Sequence, residues 1–437
     1  MYKVSKYNVF LKNCVYNCLS TAIIQLDDEL SAQLQEQRIS DIKPEYLDEL
    51  VKHGIIVLDG YDETKAYLDF WEKTKQKKAA EVFDLTIVTT YACNLNCTYC
   101  MQGRKSETEP IYNETKIMKD ETICAILHFI KRTLEKRKFI KELHISFFGG
   151  EPLVGFKVCQ KIAKGATDIA KEFNLNTSFS MTTNLTLLTD KVVDFIKKYQ
   201  VYVQVTLDGN KQLHDLSRIH PNGQGTYNKI VENLEKLCQN GLKHLIIIRI
   251  NADTKMKEEN MLSVLKTAKE LGETVYFGIL EHYDECNDSY KTAMETDNEL
   301  ADFIRQVGYA SFQQGVPIHQ CFGKKAPCAM VIPYKLTIDP YNRVYNCDMV
   351  LNQKEFSAGV LSNDGSIAFS EEYQKQLEWS PKNSQKCCDC QLLPLCGGGC
   401  PALKAKTTHN TCGYNCRTSK EELLAHLQNW LDFGSAK

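Results

Sequence analysis

Nowhere does the sequence run to the roughly 18 consecutive apolar residues that a membrane-spanning helix requires. Its longest apolar runs, such as residues 245–248, have the length of buried strands. The N-terminus, MYKVSKYNVF, lacks a long apolar core behind its lysines, so no secretory signal is read there and the expected location is the reducing cytoplasm. Charge of one sign is not in excess. The 53 Lys and Arg face 55 Asp and Glu, a formal net charge of −2, and bulk electrostatics gives no reason to expect nucleic acid. Tandem repeats and low-complexity tracts are also missing. What is there is an ordinary globular composition, 43% hydrophobic and 25% charged, on 437 residues, enough for two or three domains and a sizeable core.

Cysteine departs from that ordinary pattern, with 19 in the chain. In a small secreted domain this would read as a disulfide framework. In a large chain without a signal, clustered cysteines more often bind metal. Cys93, Cys97 and Cys100 form one tight group, and most of the others lie between Cys321 and Cys416.

Residues 1–60 read as a separate module. Short strands are expected at 8–11, 15–19, 22–26 and 55–58, with one helix capped by Asp27 and another opened by Pro44. The mixture suggests a winged-helix-like fold, joined on by a helical connector at 61–80. Strands at 85–90, 143–147, 178–182, 202–207, 245–250 and 275–280 then alternate with amphipathic helices such as 190–198 and 257–271. Such alternation argues for a parallel sheet with crossover helices. Six units suit a partial (β/α)6 TIM-like barrel, so the expected class is α/β, with its site at the C-terminal strand ends. The expected division is 1–80, the barrel at 81–285, a bridging helical segment at 286–320 and a cysteine-rich region at 321–437. In the last, Asp339 to Arg343 turns a hairpin and 421–433 forms a closing helix.

The first expected strand runs into Thr89-Thr90-Tyr91-Ala92-Cys93-Asn94-Leu95-Asn96-Cys97-Thr98-Tyr99-Cys100. Its C-x3-C-x2-C spacing supplies thiolates for three irons of a cubane. The fourth iron is left able to chelate an amino and a carboxylate group. The alternative is a zinc site or buried thiols. The second strand ends in Phe148-Gly149-Gly150-Glu151-Pro152, where two glycines let backbone approach a ligand and Glu151 can accept from an ammonium. The third ends in Thr182-Thr183-Asn184 and the fourth in Thr206-Leu207-Asp208-Gly209. His214-Asp215-Leu216-Ser217-Arg218 follows, and Arg218 suits a carboxylate. Turns and surface polar residues are the alternative for each segment.

On these residues the sequence resembles the radical S-adenosylmethionine superfamily. That family's signature is C-x3-C-x-aromatic-C, with Tyr99 in the aromatic place, followed by GGEP, here at 149–152. The resemblance implies a [4Fe–4S] cluster on Cys93, Cys97 and Cys100, and S-adenosylmethionine cleaved to a 5′-deoxyadenosyl radical that takes a hydrogen from the substrate. The cofactor does the chemistry and the protein the placement. Cosubstrate contacts are implied for Tyr99, Gly149, Gly150, Glu151, Asn184, Thr206 and Arg218. Leu185 and Thr206 stand where the related segments, TNG and S-(L/I)-DG, carry glycine and serine.

Cys387-x2-Cys390-x5-Cys396-x3-Cys400 resembles the SPASM extension of these enzymes, which holds two auxiliary [4Fe–4S] clusters. Carried over, Cys328, Cys347 and Cys400, with Cys321 as the fourth, hold the first. Cys387, Cys390 and Cys396 hold the second with either Cys412 or Cys416. Cys416, just before Arg417 and the closing helix, has the place of the family's last cysteine. A zinc ribbon or disulfides are the alternative. Cys388 reads as a spare thiol, and Cys14, Cys18, Cys124, Cys159, Cys238 and Cys286 as core or surface thiols.

The N-terminal module resembles the opening of radical maturases for ribosomally made peptides, where such a module binds the precursor's leader by strand addition. The implied function is an oxidoreductase that cross-links a leader-bearing precursor peptide through a thioether or carbon–carbon bond. A flavodoxin or ferredoxin is the implied reductant, and no membrane or nucleic-acid partner is expected. A second reading is an anaerobic sulfatase maturase forming formylglycine, with Asp348, directly after Cys347, as catalytic base. A third is a non-catalytic iron–sulfur or zinc scaffold.

Overall fold

The computed structural model describes residues 1–100, 117–252, 255–272, 274–279, 296–316, 325–402 and 419–433. The chain opens with β1 (Tyr2–Val4), β2 (Asn8–Leu11), β3 (Cys14–Asn17) and β4 (Ile23–Gln25), then α1 (Asp28–Gln35), α2 (Pro44–Lys52), β5 (Ile56–Leu58) and the long α3 (Glu63–Glu81). β2, β3 and β4 form an antiparallel meander, while β1 pairs with β5. The Asp27 carboxylate accepts from the Leu30 N–H at 2.7 Å and so starts α1, and Pro44 occupies the first turn of α2. β1 has no counterpart in the sequence reading, because three residues are too short to carry a period.

The βα region follows as β6 (Val82–Val88), α4 (Asp120–Lys136), β7 (Glu142–Phe148), α5 (Phe156–Glu172), β8 (Asn176–Thr183), α6 (Asp190–Tyr199) and β9 (Tyr202–Thr206). It continues through α7 (Lys211–Ser217), α8 (Tyr227–Gln239), β10 (Ile246–Ala252), α9 (Glu258–Leu271) and β11 (Thr274–Ile279). After α10 (Asp297–Gln314) come β12 (Lys335–Ile338), β13 (Arg343–Tyr345), β14 (Gly359–Leu361) and β15 (Ile367–Phe369). The short helices α11 (Glu371–Glu378), α12 (Gln385–Asp389) and α13 (Leu393–Cys396) precede α14 (Lys420–Phe433).

β11-β10-β9-β8-β7-β6 stand side by side, each pair parallel. Phe83, Leu85 and Ile87 of β6 alternate into the helix side, where Phe83 meets Phe129 of α4 edge-on at 5.6 Å. Burial of each such side chain contributes about 1.5–3 kcal/mol. The opposite face is polar. Asp84, Thr86, His144, Ser146, Ser178, Ser180, Thr182 and Gln204 are half-buried there, and His144 Nδ1 lies 2.8 Å from Ser178 Oγ.

The cysteine-rich region is not set apart from this sheet as the sequence reading divides it. β12 runs parallel along β6, from Lys335 opposite Asp84 to Ile338 opposite Ile87. β13, β14 and β15 continue the sheet antiparallel, which makes it mixed. Leu336 and Ile338 join the apolar core of β6, and pairing covers an edge that would otherwise expose unpaired backbone groups. The hairpin that carries Cys347 is thereby locked to the strand that leads into Cys93. Among the described residues, no helix is long and apolar enough to cross a membrane.

Candidate active site

Beyond β6, residues 89–100 form a loop held from both sides. The Thr89 N–H donates to Phe148 O (3.0 Å), Gly150 N–H to Thr90 O (2.9 Å) and Glu151 N–H to Ala92 O (3.0 Å). From the other side, Asn96 N–H donates to Ile219 O (2.6 Å) and Thr98 N–H to Ser217 O (2.9 Å). The sequence reading has Gly149 and Gly150 admitting a ligand, but what they admit is the cysteine loop. Gly149 has φ +144°, and a Cβ there would lie 2.3 Å from Thr90 O; one on Gly150 would lie 2.5 Å from the Tyr91 and Ala92 carbonyls.

Cys93, Cys97 and Cys100 are half-buried on this loop. Burial above all, with smaller contributions from Glu151, Cys97 and Cys100, pushes the Cys93 thiol up to about 12. A thiolate at this place therefore needs a cation to replace its proton, which is what a metal supplies. Three thiols on one short loop make a donor set that fits iron. Among the described residues, no three His, Cys, Asp or Glu side chains are drawn together as for one metal ion; thiolates of a cubane each take a different iron.

Glu151 is 1% exposed, and its carboxylate accepts from Leu153 N–H (3.0 Å), Thr183 Oγ1–H (2.6 Å) and Asn184 N–H (2.7 Å). These use most of its acceptor sites, so Glu151 ties the end of β7 to the end of β8. Burial raises its pKa. Asn184 Nδ2–H in turn donates to Asn94 Oδ1 at 3.0 Å and lies 3.9 Å from Cys93 Sγ. Leu185 stands where the related TNG segment has glycine. It is fully buried at φ +59°, a backbone region that favours glycine and that side chains such as leucine rarely adopt.

Tyr99 turns its hydroxyl to the far strands. It donates to Asp208 Oδ2 and accepts from Arg218 Nη1–H (2.8 Å) and Asn251 Nδ2–H (3.1 Å). Asp208 Oδ1 accepts from Asn251 N–H at 3.0 Å. Thr206 is buried at the end of β9. The backbone N–H of Asp208 donates to His214 Nδ1 (3.1 Å), and burial pushes His214 down to about 3, keeping it neutral with its proton on Nε2 toward Thr226 Oγ1. Arg218 is buried beside Cys97, and its Nε has no hydrogen-bond partner among the described residues. An unpaired guanidinium N–H at a thiol loop is what an incoming carboxylate would complete, so the residues fit an amino-acid cosubstrate. Asp208 and Asn251 are absent from the residues singled out in the sequence. Asp208 lies in a segment noted there, and Asn251 is signalled only by its place at the end of β10.

Cys328, Cys347 and Cys400 come together in one cluster with Val88, Tyr91, Phe148 and Tyr345, directly beside the cysteine loop. Burial, then Asp348 and the other two thiols, raises Cys347 far above the ordinary thiol range. Asp348 is half-buried, with Oδ1 3.5 Å from Thr337 Oγ1, and burial raises its carboxyl in spite of Lys335 nearby. Cys387, Cys390 and Cys396 sit on α12, its end and α13. No disulfide joins any described cysteine. Cys321, Cys412, Cys416 and Cys286 lie outside the described residues.

The β6 to α9 region, residues 87–268, matches the Radical SAM superfamily. Several of the proteins it is similar to are maturases. The chain is similar to the radical SAM cyclopropyl synthase TigE of Paramaledivibacter caminithermalis, 22% identical over 392 residues that span 84% of this chain and 77% of that one. It is similar also to the cysteine-type anaerobic sulfatase-maturating enzyme of Clostridium novyi, 25% identical over 333 residues, 70% of this chain and 84% of that one. In fold it resembles Streptococcus suis SuiB bound to S-adenosylmethionine, with a TM-score of 0.54 and 16% identity over 93% of this chain and 97% of the other. SuiB has also been solved bound to the precursor peptide SuiA.

Proposed function

We propose that the chain is a peptide maturase that cleaves S-adenosylmethionine and cross-links a ribosomally made precursor through a thioether or carbon–carbon bond. The observation that carries this reading is the packing of Cys328, Cys347 and Cys400 against Tyr91 of the cysteine loop, which sets a second metal-type donor group beside the first. When bound, the cluster and S-adenosylmethionine supply a 5′-deoxyadenosyl radical. The chain's part is placement. Cys93, Cys97 and Cys100 hold the iron, Glu151 and Asn184 set the loop, Gly149 and Gly150 let that loop close on the end of β7, and Arg218 takes the cosubstrate carboxylate, with Tyr99 and Thr206 completing its seat. Cys321, Cys328, Cys347 and Cys400 hold a first auxiliary cluster, and Cys387, Cys390 and Cys396, with a further cysteine such as Cys416, a second. Residues 1–80 form a winged-helix-like leader module, 81–285 the barrel, 286–320 the bridge and 321–437 the SPASM region.

The test is direct. The full chain, loaded, reduced anaerobically and given S-adenosylmethionine, should convert a short leader-bearing peptide encoded beside it to a product lighter by hydrogen. The same peptide without its leader should lose most turnover, while 5′-deoxyadenosine still forms. Equal conversion of both peptides would count against leader recognition, and conversion of neither, with cosubstrate cleavage intact, against this substrate class.

A second reading, formylglycine formation, draws on the placement of Asp348 beside Cys347 and on the Clostridium novyi relative. In both readings Asp348 accepts the proton that the substrate loses. Asp348→Asn is expected to lower product formation roughly 10²-fold while 5′-deoxyadenosine formation stays within about twofold. Parallel loss of the two would make Asp348 structural.

A further inference from the structure

The polar face of the sheet carries a chain of hydrogen bonds that the site at the C-terminal strand ends does not use. Ser178 Oγ–H donates to the Glu142 carboxylate. A hydroxyl has one proton to give, so the 2.8 Å contact between Ser178 Oγ and His144 Nδ1 is made by an N–H on Nδ1. Neutral His144 then accepts at Nε2, where Ser180 Oγ–H donates at 3.2 Å. Each donor in the series points the same way, from Ser180 toward Glu142, and all of these side chains are half-buried.

The two ends of the series lie in different surroundings. Glu142 is the first residue of β7, next to exposed Lys141 and opposite exposed Asn176 on β8. Ser180 lies deeper. It shares one row across the sheet with Ser146, Thr86 and Thr337, a hydroxyl on each of β8, β7, β6 and β12. Thr337 Oγ1 lies 3.5 Å from Asp348 Oδ1. The next row holds Lys335, Asp84, His144 and Ser178, with Lys335 Nζ bound to Asp84 Oδ2 at 2.6 Å. A strand face that only filled space would carry Val, Ile and Leu, as barrel interiors commonly do. Hydroxyls and a carboxylate joined end to end through an imidazole, the usual proton shuttle, are instead a route for a proton.

We propose that Ser180, His144, Ser178 and Glu142 form a proton wire that carries the proton lost by the substrate from the hydroxyl row to solvent at the N-terminal strand ends. The inference rests on the maturase reading, in which the substrate gives a hydrogen atom to the 5′-deoxyadenosyl radical, an electron to an iron–sulfur cluster and a proton to the protein. A proton reaching Ser180 drives the Ser180 proton onto His144 Nε2. The Nδ1 proton then passes to Ser178 Oγ, and the Ser178 proton to Glu142, which releases it to water. Turning of the two hydroxyls and of the ring restores the starting pattern, so one proton crosses and no group is consumed.

The test uses the full chain, loaded and reduced anaerobically, with the leader-bearing peptide and S-adenosylmethionine. Product and 5′-deoxyadenosine are both counted, in ordinary and in heavy water. Ser178→Ala removes a single oxygen and leaves packing intact. It should lower product formation about tenfold or more, keep 5′-deoxyadenosine within about twofold and show a larger solvent deuterium isotope effect on product than the wild type. His144→Ala should do the same, and added imidazole should restore part of its product rate but none of that lost in Ser178→Ala. Wild-type product rates in both variants would overturn the wire. So would parallel loss of product and 5′-deoxyadenosine with an unchanged isotope effect, which is what a purely structural role gives. Failure of the wild type itself to convert the peptide would fall on the maturase reading instead.

Discussion

Replacing Cys93, Cys97 and Cys100 together by Ala is expected to abolish 5′-deoxyadenosine formation while leaving the fold in place. The loop that carries these residues is not held by its thiols. Its backbone is fixed by bonds to Phe148, Thr90 to Gly150, Ala92 to Glu151, Ser217 and Ile219, and the three side chains are only half-buried. Three truncations in such a loop remove little apolar contact. The donor set for iron, in contrast, disappears completely, and a group that makes cosubstrate cleavage possible cannot be lost by degrees. The expected outcome is turnover at the level of protein-free controls, loss of about four irons per chain and an unchanged far-UV circular dichroism spectrum. Retained cleavage by the triple variant would overturn the placement of the radical site. Loss of the dichroism spectrum would show the thiols to be structural.

The second large effect is on stability. Asp339 is completely buried, and all of its capacity is used. Oδ2 accepts from Tyr91 OH (3.0 Å), Arg343 Nε–H (2.7 Å) and Arg343 Nη2–H (2.6 Å). Oδ1 accepts from the Tyr341 and Arg343 N–H groups at 2.8 and 2.9 Å. Asp339→Ala strands a largely buried guanidinium, a tyrosine hydroxyl and two turn amides. Removing one partner of a buried pair costs about 3–5 kcal/mol. The loss should appear as a lower urea midpoint for the cooperative unit containing β6, β12 and β13. Because Tyr91 lies in the cysteine loop and β13 leads to Cys347, the same variant should also weaken iron binding at both groups. A loss below about 1 kcal/mol would place Asp339 among ordinary turn residues. Asp339→Asn keeps the shape and should fall between the two.

Much of the site could be read from local pattern. The strand before Cys93 alternates so plainly that β6 lies within three residues of its expected start, and the same is true of β7 to β11. Asp27 and Pro44 begin the helices that their side chains demand. The spacing of Cys93, Cys97 and Cys100 within eight residues and the GGEP segment are contiguous, so their chemistry travels with them. The purpose of Gly149 and Gly150 was not legible. A glycine pair states that something comes close, and only the Thr90, Tyr91 and Ala92 carbonyls show that it is the cysteine loop. Nor was the cost at Leu185, whose left-handed backbone is invisible in the letter L.

What the amino-acid order determined by itself is whatever depends on neighbours within about ten residues: the caps, the strand alternation and the cysteine spacing. What only the tertiary structure decided is which distant segments meet. Asn251 reaches Tyr99, β12 closes on β6 and Cys18 shares an apolar cluster with Cys390, across separations of 152, 251 and 372 positions. No period in the sequence marks such encounters. They are set by which apolar faces and unpaired sheet edges find cover in the folded chain, a property of the whole surface and not of any stretch of it.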